Sequence, residues 1–150
     1  MIVSKILLPT DGSETAKKAI KYAADLAKQI GATVRLISVI DNSFYATQSV
    51  PVGTVSPRLL EPIEDYLRQA AEAYLDNAEK ICGKNGVQSK KIIKTGHPVE
   101  EIIKEANRSK VDLIVLGSHG KSALKAAVLG SVTFGIIHKD TKIPVLVVRR

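Results

Sequence analysis

Apolar residues in this chain follow two periods in alternation, and this alternation restricts the fold more than any other feature. Short β-branched or apolar runs, typical of buried strands, alternate with segments whose apolar residues recur every three or four positions, as in amphipathic helices. The predicted strands cover residues 6–8, 32–40, 87–94, 111–116 and 145–148. Strands that alternate with helices form parallel sheets covered on both faces. We predict an α/β fold with a doubly wound five-stranded parallel sheet, order 3-2-1-4-5, and helices on both faces.

The helical segments complete the pattern. The predicted helices cover residues 16–30, 60–82, 98–106 and 131–138. Gly31 follows the first helix, as glycine commonly does at a helix end, and Pro98 suits the first turn of the third. Residues 41–56 follow neither period. A length of 150 residues is the size of one domain, so we expect a single domain over residues 1–150.

Composition and charge disfavour several classes of protein. The chain has 22 Lys and Arg against 15 Asp and Glu, but the basic residues are dispersed and the aromatic residues are few. A platform for stacking nucleic-acid bases is therefore not expected. Charged residues interrupt every apolar run before the roughly 18 residues of a membrane helix, and no secretion signal opens the sequence. The single cysteine, Cys82, excludes an intramolecular disulfide. From these features together we expect a cytoplasmic protein without a membrane segment.

The predicted topology brings two distinctive segments together. In a sheet of this order the winding reverses between strands 1 and 4, and ligands bind at the carboxyl ends of the strands there. Those ends are residues 9–13, Pro-Thr-Asp-Gly-Ser, and residues 117–120, Gly-Ser-His-Gly, with the end of strand 2 at residues 39–41, Val-Ile-Asp, beside them. Residues 130–133, Gly-Ser-Val-Thr, begin a predicted helix, whose N–H groups attract an anion, and two hydroxyls add donors. The sequence therefore predicts a phosphate-binding crevice.

Structural explanations of the same residues stay open. In one alternative, the glycines only shape a strand-to-helix turn and Ser131 is a helix cap. Asp11 is a candidate ligand for a ribose hydroxyl or a water-linked Mg²⁺, and equally a candidate N-cap that forms a capping box with Glu14; the two roles are compatible. Phe44 and Tyr45, in the segment of residues 41–56, either cover a ligand or contact a second copy of the chain.

Sequence motifs of several nucleotide-binding and catalytic sites are absent. A Walker A loop that ended at Gly120-Lys121-Ser122 would need glycine where Val115 stands, and neither G-x-G-x-x-G nor G-x-S-x-G occurs. Ser118 and His119 are adjacent, but a catalytic pair needs directed geometry and an orienting acid. The three histidines lack metal-site spacing. No catalytic residue is assigned.

The joint pattern of glycines resembles that of a known family. Gly117, Gly120, Gly130 and Ser131 match G-2x-G-9x-G-(S/T), the pattern of the ATP-binding branch of the universal stress protein family. Residues 9–14, 111–118 and 143–148 are also similar to that family, so the resemblance spans essentially the whole chain in order. It implies a Rossmann-like fold of the adenine-nucleotide α-hydrolase type.

The resemblance also implies a ligand and residue roles. ATP, accompanied by Mg²⁺, would bind with its adenine against main-chain groups of Val39, and Asp11 would contact the metal indirectly. The residues implied to hold the nucleoside and the phosphates are Pro9, Thr10, Asp11, Gly117, Ser118, His119, Gly120, Gly130, Ser131, Val132 and Thr133. Members typically form homodimers through the last strand, here from Val145 to Arg149. The implied function is nucleotide-dependent regulation in a stress response, with protein partners unknown.

Two other functions are weighed against this one. A slow ATP-hydrolysing or phosphotransfer enzyme on the same fold would need a base or charge stabiliser, for which Asp11, His119 and Lys121 are the nearby candidates. A flavin carrier would need aromatic flanks that the chain largely lacks. A phospho-receiver would need an acidic residue at the end of strand 3, where residues 94–96 read Lys-Thr-Gly.

Overall fold

The computed structural model describes residues 2–41, 57–120 and 129–149. Strands and helices alternate along these stretches, as the two periods predict. The strands are β1 (Lys5–Pro9), β2 (Thr33–Asp41), β3 (Ser89–Gly96), β4 (Leu113–Gly117) and β5 (Val145–Val148). The helices are α1 (Glu14–Ile30), α2 (Pro57–Lys84), α3 (Pro98–Arg108) and α4 (Ser131–Ile137).

The five strands form one parallel sheet in the order β3-β2-β1-β4-β5. This confirms the predicted fold class and strand order. At the centre of the sheet, Leu7 of β1 lies opposite Arg35 of β2 on one side and Ile114 of β4 on the other. The chain winds outward from β1 to β3 and then crosses back to β4, so the direction of winding reverses between β1 and β4.

Helices pack on both faces of the sheet, and alternate strand residues supply each core. One core joins Ile6 and Leu8 of β1 to α1 and α2 through buried residues such as Ala23 and Leu75. The other joins Leu7 of β1 to α3 and α4; its remaining members include Ile37, Ile102, Ile114, Leu116 and Ile136. Successive side chains of a strand point to opposite faces, which explains why neighbours in β1 belong to different cores.

Strands β3 and β4 begin two residues later than the sequence predicts. Val87 and Val111 are buried, but their N–H groups donate to Cys82 and Ala106 in turns that leave the preceding helices. Apolar burial in such a turn produces the same hydropathy pattern as a strand, so periodicity alone places the strand too early.

The helix caps exclude two of the structural roles that the sequence leaves open. Ser13 is the N-cap of α1 and its hydroxyl accepts the N–H of Ala16 at 3.1 Å, so the interpretation of Asp11 as N-cap of a capping box is wrong. Gly130 is the N-cap of α4, so Ser131 is the first helical residue and not a cap. Gly31 ends α1 in the left-handed region with φ of 73°, as predicted.

One buried carboxylate lies within the helical layer. Glu105 of α3 is 2% exposed and accepts two hydrogen bonds from Arg108, at 2.8 Å from Nε and 2.6 Å from Nη2. Nη1 of Arg35 lies 4.0 Å from the same carboxylate. The hydrogen bonds from Arg108 lower the pKa of Glu105 despite its burial.

Strand β5 lies at one edge of the sheet and pairs with β4 through its four residues. All four of its side chains are half-buried. Among residues 2–41, 57–120 and 129–149, no helix combines the length and apolar character that crossing a bilayer requires.

Candidate functional site

A cavity of about 230 Å³ opens at the carboxyl ends of β1, β2 and β4. This is the point where the sheet reverses its winding, as the sequence predicts for a ligand site. Every predicted site residue except Ser118 lines the cavity: Pro9, Thr10, Asp11, Val39, Gly117, His119, Gly120, Gly130, Ser131, Val132 and Thr133. The cavity volume lies just below the roughly 300–1,000 Å³ of most small-ligand pockets.

The turn after β1 directs Asp11 into this cavity. The N–H of Thr10 donates to the carbonyl of Ile37 at 2.9 Å, which extends the pairing of β1 with β2 by one bond. Asp11 Oδ1 then accepts the N–H of Ser13 at 2.9 Å. Gly12 adopts φ of 78°, and a Cβ there would collide with the ring of Tyr74. The turn therefore requires glycine for both its conformation and its packing.

Two motif glycines make room for protein atoms at the cavity. A Cβ on Gly117 would lie 2.9 Å from the carbonyl oxygen of Thr15 in the first turn of α1. A Cβ on Gly120 would lie 2.6 Å from Oδ2 of Asp11. Gly117 thus lets β4 approach helix α1, and Gly120 lets the loop after β4 approach the carboxylate at the end of β1.

Gly130 joins the loop after β4 to the start of α4. Its N–H donates to the carbonyl of Ser118 at 2.9 Å, and a Cβ would lie 3.1 Å from the nitrogen of Gly120. Three residues later, the hydroxyl of Thr133 donates to the carbonyl of Gly117 at 2.7 Å. The hydrogen of that hydroxyl is already donated within the protein. Of the two hydroxyls predicted as donors to a ligand, only that of Ser131 therefore remains.

Ser118 and His119 lie between these glycines and are both buried, at 3% and 8% exposure. Ser118 Oγ and His119 Nδ1 are 2.7 Å apart, within hydrogen-bonding distance. The other ring nitrogen, Nε2, is buried and has no hydrogen-bond partner in the part of the chain that the structure describes.

Several lining residues were not predicted as part of the site. Helix α3 supplies Pro98 and Ile102, β2 supplies Ile37, and two more lie near the two glycine segments: Ala16 and Leu116. Asp41, which the sequence places at the end of strand 2 beside the crevice, also lines the cavity. The apolar members of this set form a wall beside Val39. Only the strand order could have predicted the α3 residues, because the connection from β3 to β4 must cross the sheet past β2 and β1.

The charged groups on the lining are acidic. Asp11 and Asp41 contribute carboxylates, and no lysine or arginine occurs among the described residues that line the cavity. Within the same stretches, no group of three or more His, Cys, Asp or Glu is arranged to hold a metal ion by itself. The interpretations of Phe44, Tyr45 and Lys121 concern residues outside those that the structure describes.

The fold and the cavity define an α/β protein with a doubly wound parallel sheet and a cavity at the point where the winding reverses. The comparisons with known proteins identify the family. The model of the universal stress protein family matches residues 3–149. The chain belongs to this family, which confirms the resemblance drawn from the motifs.

Individual relatives support this assignment. Universal stress protein MJ0577 of Methanocaldococcus jannaschii is 38% identical, covering 100% of this chain and 97% of the relative. Universal stress protein MJ0531 of the same organism is 35% identical over 99% of this chain and 84% of its own length. The solved structure of MJ0577 superposes with a TM-score of 0.83 at 37% identity, over 100% of this chain and 98% of that one.

More distant solved structures share the fold. A universal stress protein in complex with cAMP has a TM-score of 0.69 at 22% identity and covers 99% of this chain and 98% of its own. The protein from Archaeoglobus fulgidus in complex with dAMP has a TM-score of 0.65 at 21% identity and covers 98% of each chain. At these identities the likeness concerns the fold alone.

Proposed function

We propose that this chain binds ATP, accompanied by Mg²⁺, in the cavity at the reversal of the sheet and acts as a nucleotide-dependent regulator in a stress response. The observation that carries the proposal is the convergence of the motif glycines. Gly117, Gly120 and Gly130 are separated in sequence but border one cavity, where the main chain of Gly130 lies against that of Gly120. Two distant relatives have been solved in complex with cAMP and with dAMP, which are adenine nucleotides as ATP is.

The adenine end of the proposed site is formed by Val39 and the apolar wall. The N–H of Thr33 and the carbonyl of Ile37 both bond towards β1, so odd-numbered residues of β2 direct their main-chain groups to that side. β1 pairs with β2 only as far as Ile37, two residues before Val39. The N–H and carbonyl of Val39 therefore face the space beyond the end of β1, where they match the N1 acceptor and N6 donor of adenine.

The phosphate end lies between the loop after β4 and the start of α4. Main-chain N–H groups of the first helical turn have no acceptor within their own helix, and the hydroxyl of Ser131 adds a donor at an exposed position. Since the described lining carries carboxylates and no lysine or arginine, a triphosphate there requires a cation. Mg²⁺ suits this arrangement because it commonly binds phosphates and one or two carboxylates, partly through water. Asp11 would hold it indirectly.

The remaining parts of the proposal concern assembly and location. A homodimer through residues 145–149 would cover the half-buried side chains of β5 and pair an edge that otherwise offers unpaired N–H and carbonyl groups. We expect this dimer to reside in the cytoplasm and to convey nucleotide binding to protein partners that are still unknown.

Calorimetric titration tests the ligand. Protein stripped of nucleotide under denaturing conditions and refolded is titrated with ATP, ADP and GTP, with Mg²⁺ or with EDTA. We expect ATP to bind, GTP to bind more weakly because its N1 and O6 reverse the donor and acceptor pattern, and EDTA to weaken ATP binding.

Gly130→Ala and Gly83→Ala form a matched pair of variants. A Cβ on Gly130 would crowd the main chain of Gly120 and His119, whereas a Cβ on Gly83 in α2 meets nothing within 4 Å. Only the first should weaken ATP binding. Wild-type protein that carries no nucleotide on purification and takes up no ATP at millimolar concentration would overturn the proposal.

A further inference from the structure

Asp41 is one of the two carboxylates on the described lining of the cavity, and it lies away from the proposed phosphate end. It is the last residue of β2, it is exposed, and it lies opposite Gly96 of β3. Along this edge of the sheet the strands follow in the order β3, β2, β1 and β4. Asp11 follows β1 and lies beside the loop after β4, whereas Asp41 is one strand further away. The two carboxylates therefore belong to different parts of the proposed nucleotide site.

The side chain of Asp41 leaves β2 on the face of the sheet that helix α3 covers. Residues two apart in a strand share a face, and Val39 packs into the core that includes Ile102 of α3. Asp41 is therefore on the same face, where Pro98 and Ile102 line the cavity. A base that lies against this apolar wall has the Asp41 carboxylate at its edge.

The direction of β2 determines which atom of the base is nearest to Asp41. Within a strand the carbonyl of each residue follows its N–H, and Asp41 lies about 6.6 Å beyond Val39 at roughly 3.3 Å per residue. In the proposed binding mode the N–H of Val39 donates to adenine N1 and its carbonyl accepts from N6. N6 is therefore nearer to Asp41 than N1 is. The 6-amino group has two hydrogens; the carbonyl of Val39 accepts one, and the other remains on the side of Asp41.

We infer that the Asp41 carboxylate accepts this second N6 hydrogen and is a specificity-determining residue of the site. The inference rests on the proposed binding of ATP and adds to it the selection of a 6-amino purine by a side chain. A hypoxanthine or guanine base presents a carbonyl oxygen at the same position, and two acceptors that face each other repel. The main chain of Val39 and the carboxylate of Asp41 thus favour the same base.

A cycle of two ligands and two proteins isolates this contact. Purine riboside triphosphate lacks the 6-amino group but keeps N1, the ribose and the phosphates of ATP. We expect Asp41→Ala to weaken ATP binding about fivefold, less than a buried hydrogen bond to a charged group implies, because Asp41 is exposed. Binding of purine riboside triphosphate should change by less than about twofold. A purely structural role of Asp41 would weaken the binding of both ligands alike.

Two further variants complete the experiment. Asp11→Ala is the matched control, because it removes the other carboxylate of the lining; it should weaken ATP and purine riboside triphosphate by the same factor. Asp41→Asn is nearly isosteric and avoids any disturbance of β2 by the truncation. Its amide can turn a donor toward a 6-oxo group, so the preference for ATP over ITP should fall about fivefold. The melting temperature of each nucleotide-free variant measures any loss of folding separately.

The outcomes distinguish this inference from the proposed function. If purine riboside triphosphate loses as much affinity as ATP in Asp41→Ala, or if neither loses any, the inference is wrong and ATP binding stands. If Asp41→Ala weakens ATP but leaves 2′-deoxy-ATP unchanged, the carboxylate holds the ribose, and the inference is again wrong. If wild type binds no adenine nucleotide, the proposed function fails and the role of Asp41 fails with it. A loss confined to ligands with the 6-amino group, together with the weaker preference over ITP in Asp41→Asn, would support the inference.

Discussion

Gly120→Ala tests whether this glycine is required to accommodate the carboxylate of Asp11. The new Cβ would lie 2.6 Å from Oδ2 of Asp11, about 0.8 Å short of the 3.4 Å at which ordinary van der Waals contact begins. The crowded atom is the end of a side chain, so Asp11 should rotate away while the backbone stays in place. The φ of Gly120 lies outside the left-handed region, and alanine adds no backbone strain there.

The cost of this rotation follows from the hydrogen bond that Asp11 gives up. Its Oδ1 accepts the N–H of Ser13 at 2.9 Å, and a hydrogen bond to a charged group contributes roughly 1.5–3 kcal/mol. We expect Gly120→Ala to lower the free energy of unfolding by about 1.5 kcal/mol, at the low end because the site is only partly buried. ATP binding should weaken by about tenfold as the carboxylate leaves the cavity.

Urea denaturation of a double-mutant cycle measures the effect. In an Asp11→Ala background the obstructing oxygen is gone, so Gly120→Ala should change stability by less than about 0.5 kcal/mol. Gly117→Ala is the contrast, since its Cβ meets the backbone of Thr15 at 2.9 Å; it should cost about 2 kcal/mol in either background. If Gly120→Ala is equally destabilising with and without the Asp11 carboxylate, the explanation of this glycine is refuted.

Three further predictions concern parts of the fold outside the cavity. Asp112 accepts hydrogen bonds from the N–H and hydroxyl of Ser4 and from the N–H of Lys5, and these bonds lower its pKa. The stabilisation is present above about pH 4 and is lost as the pH falls through the lowered pKa. Asp112→Asn should therefore flatten the dependence of the unfolding free energy on pH between about 5 and 2, and an unchanged slope would contradict this. Burial raises the pKa of the Cys82 thiol to about 11, so a disulfide reagent at pH 8 should react with it rapidly only in denaturant, whereas rapid reaction in native protein would be inconsistent with the buried position. Gly83→Ala should raise the free energy of unfolding by about 0.5–1 kcal/mol, measured in urea, because α2 gains helix propensity and nothing lies within 4 Å of the new methyl group; a loss of stability would contradict that packing.

Local signals in the sequence are sufficient to predict the fold and the two ends of the site near β1 and β4. Periodicity identifies the elements, and the short length and the rule for parallel crossovers leave few strand orders, of which the observed order is the simplest. The same signals do not distinguish a ligand-binding role for Asp11 from helix capping, because Asp11 and Ser13 are both good caps two residues apart. The distinction depends on which oxygen accepts the N–H of Ala16, and that oxygen belongs to Ser13.

The apolar wall of the cavity could be predicted only from the path that helix α3 takes across the sheet. Pro98 and Ile102 begin α3 after the outermost strand, β3, far in sequence from both glycine segments. Because β4 lies on the other side of β1, the connection must pass β2 and β1, and the first turns of α3 come to lie beside the carboxyl end of β2. Ile102 then shares a core with Ile37 and also lines the cavity. Packing in the core is enough to explain an apolar residue at this position. The residue type therefore does not indicate that Ile102 also lines the cavity; only the strand order indicates this.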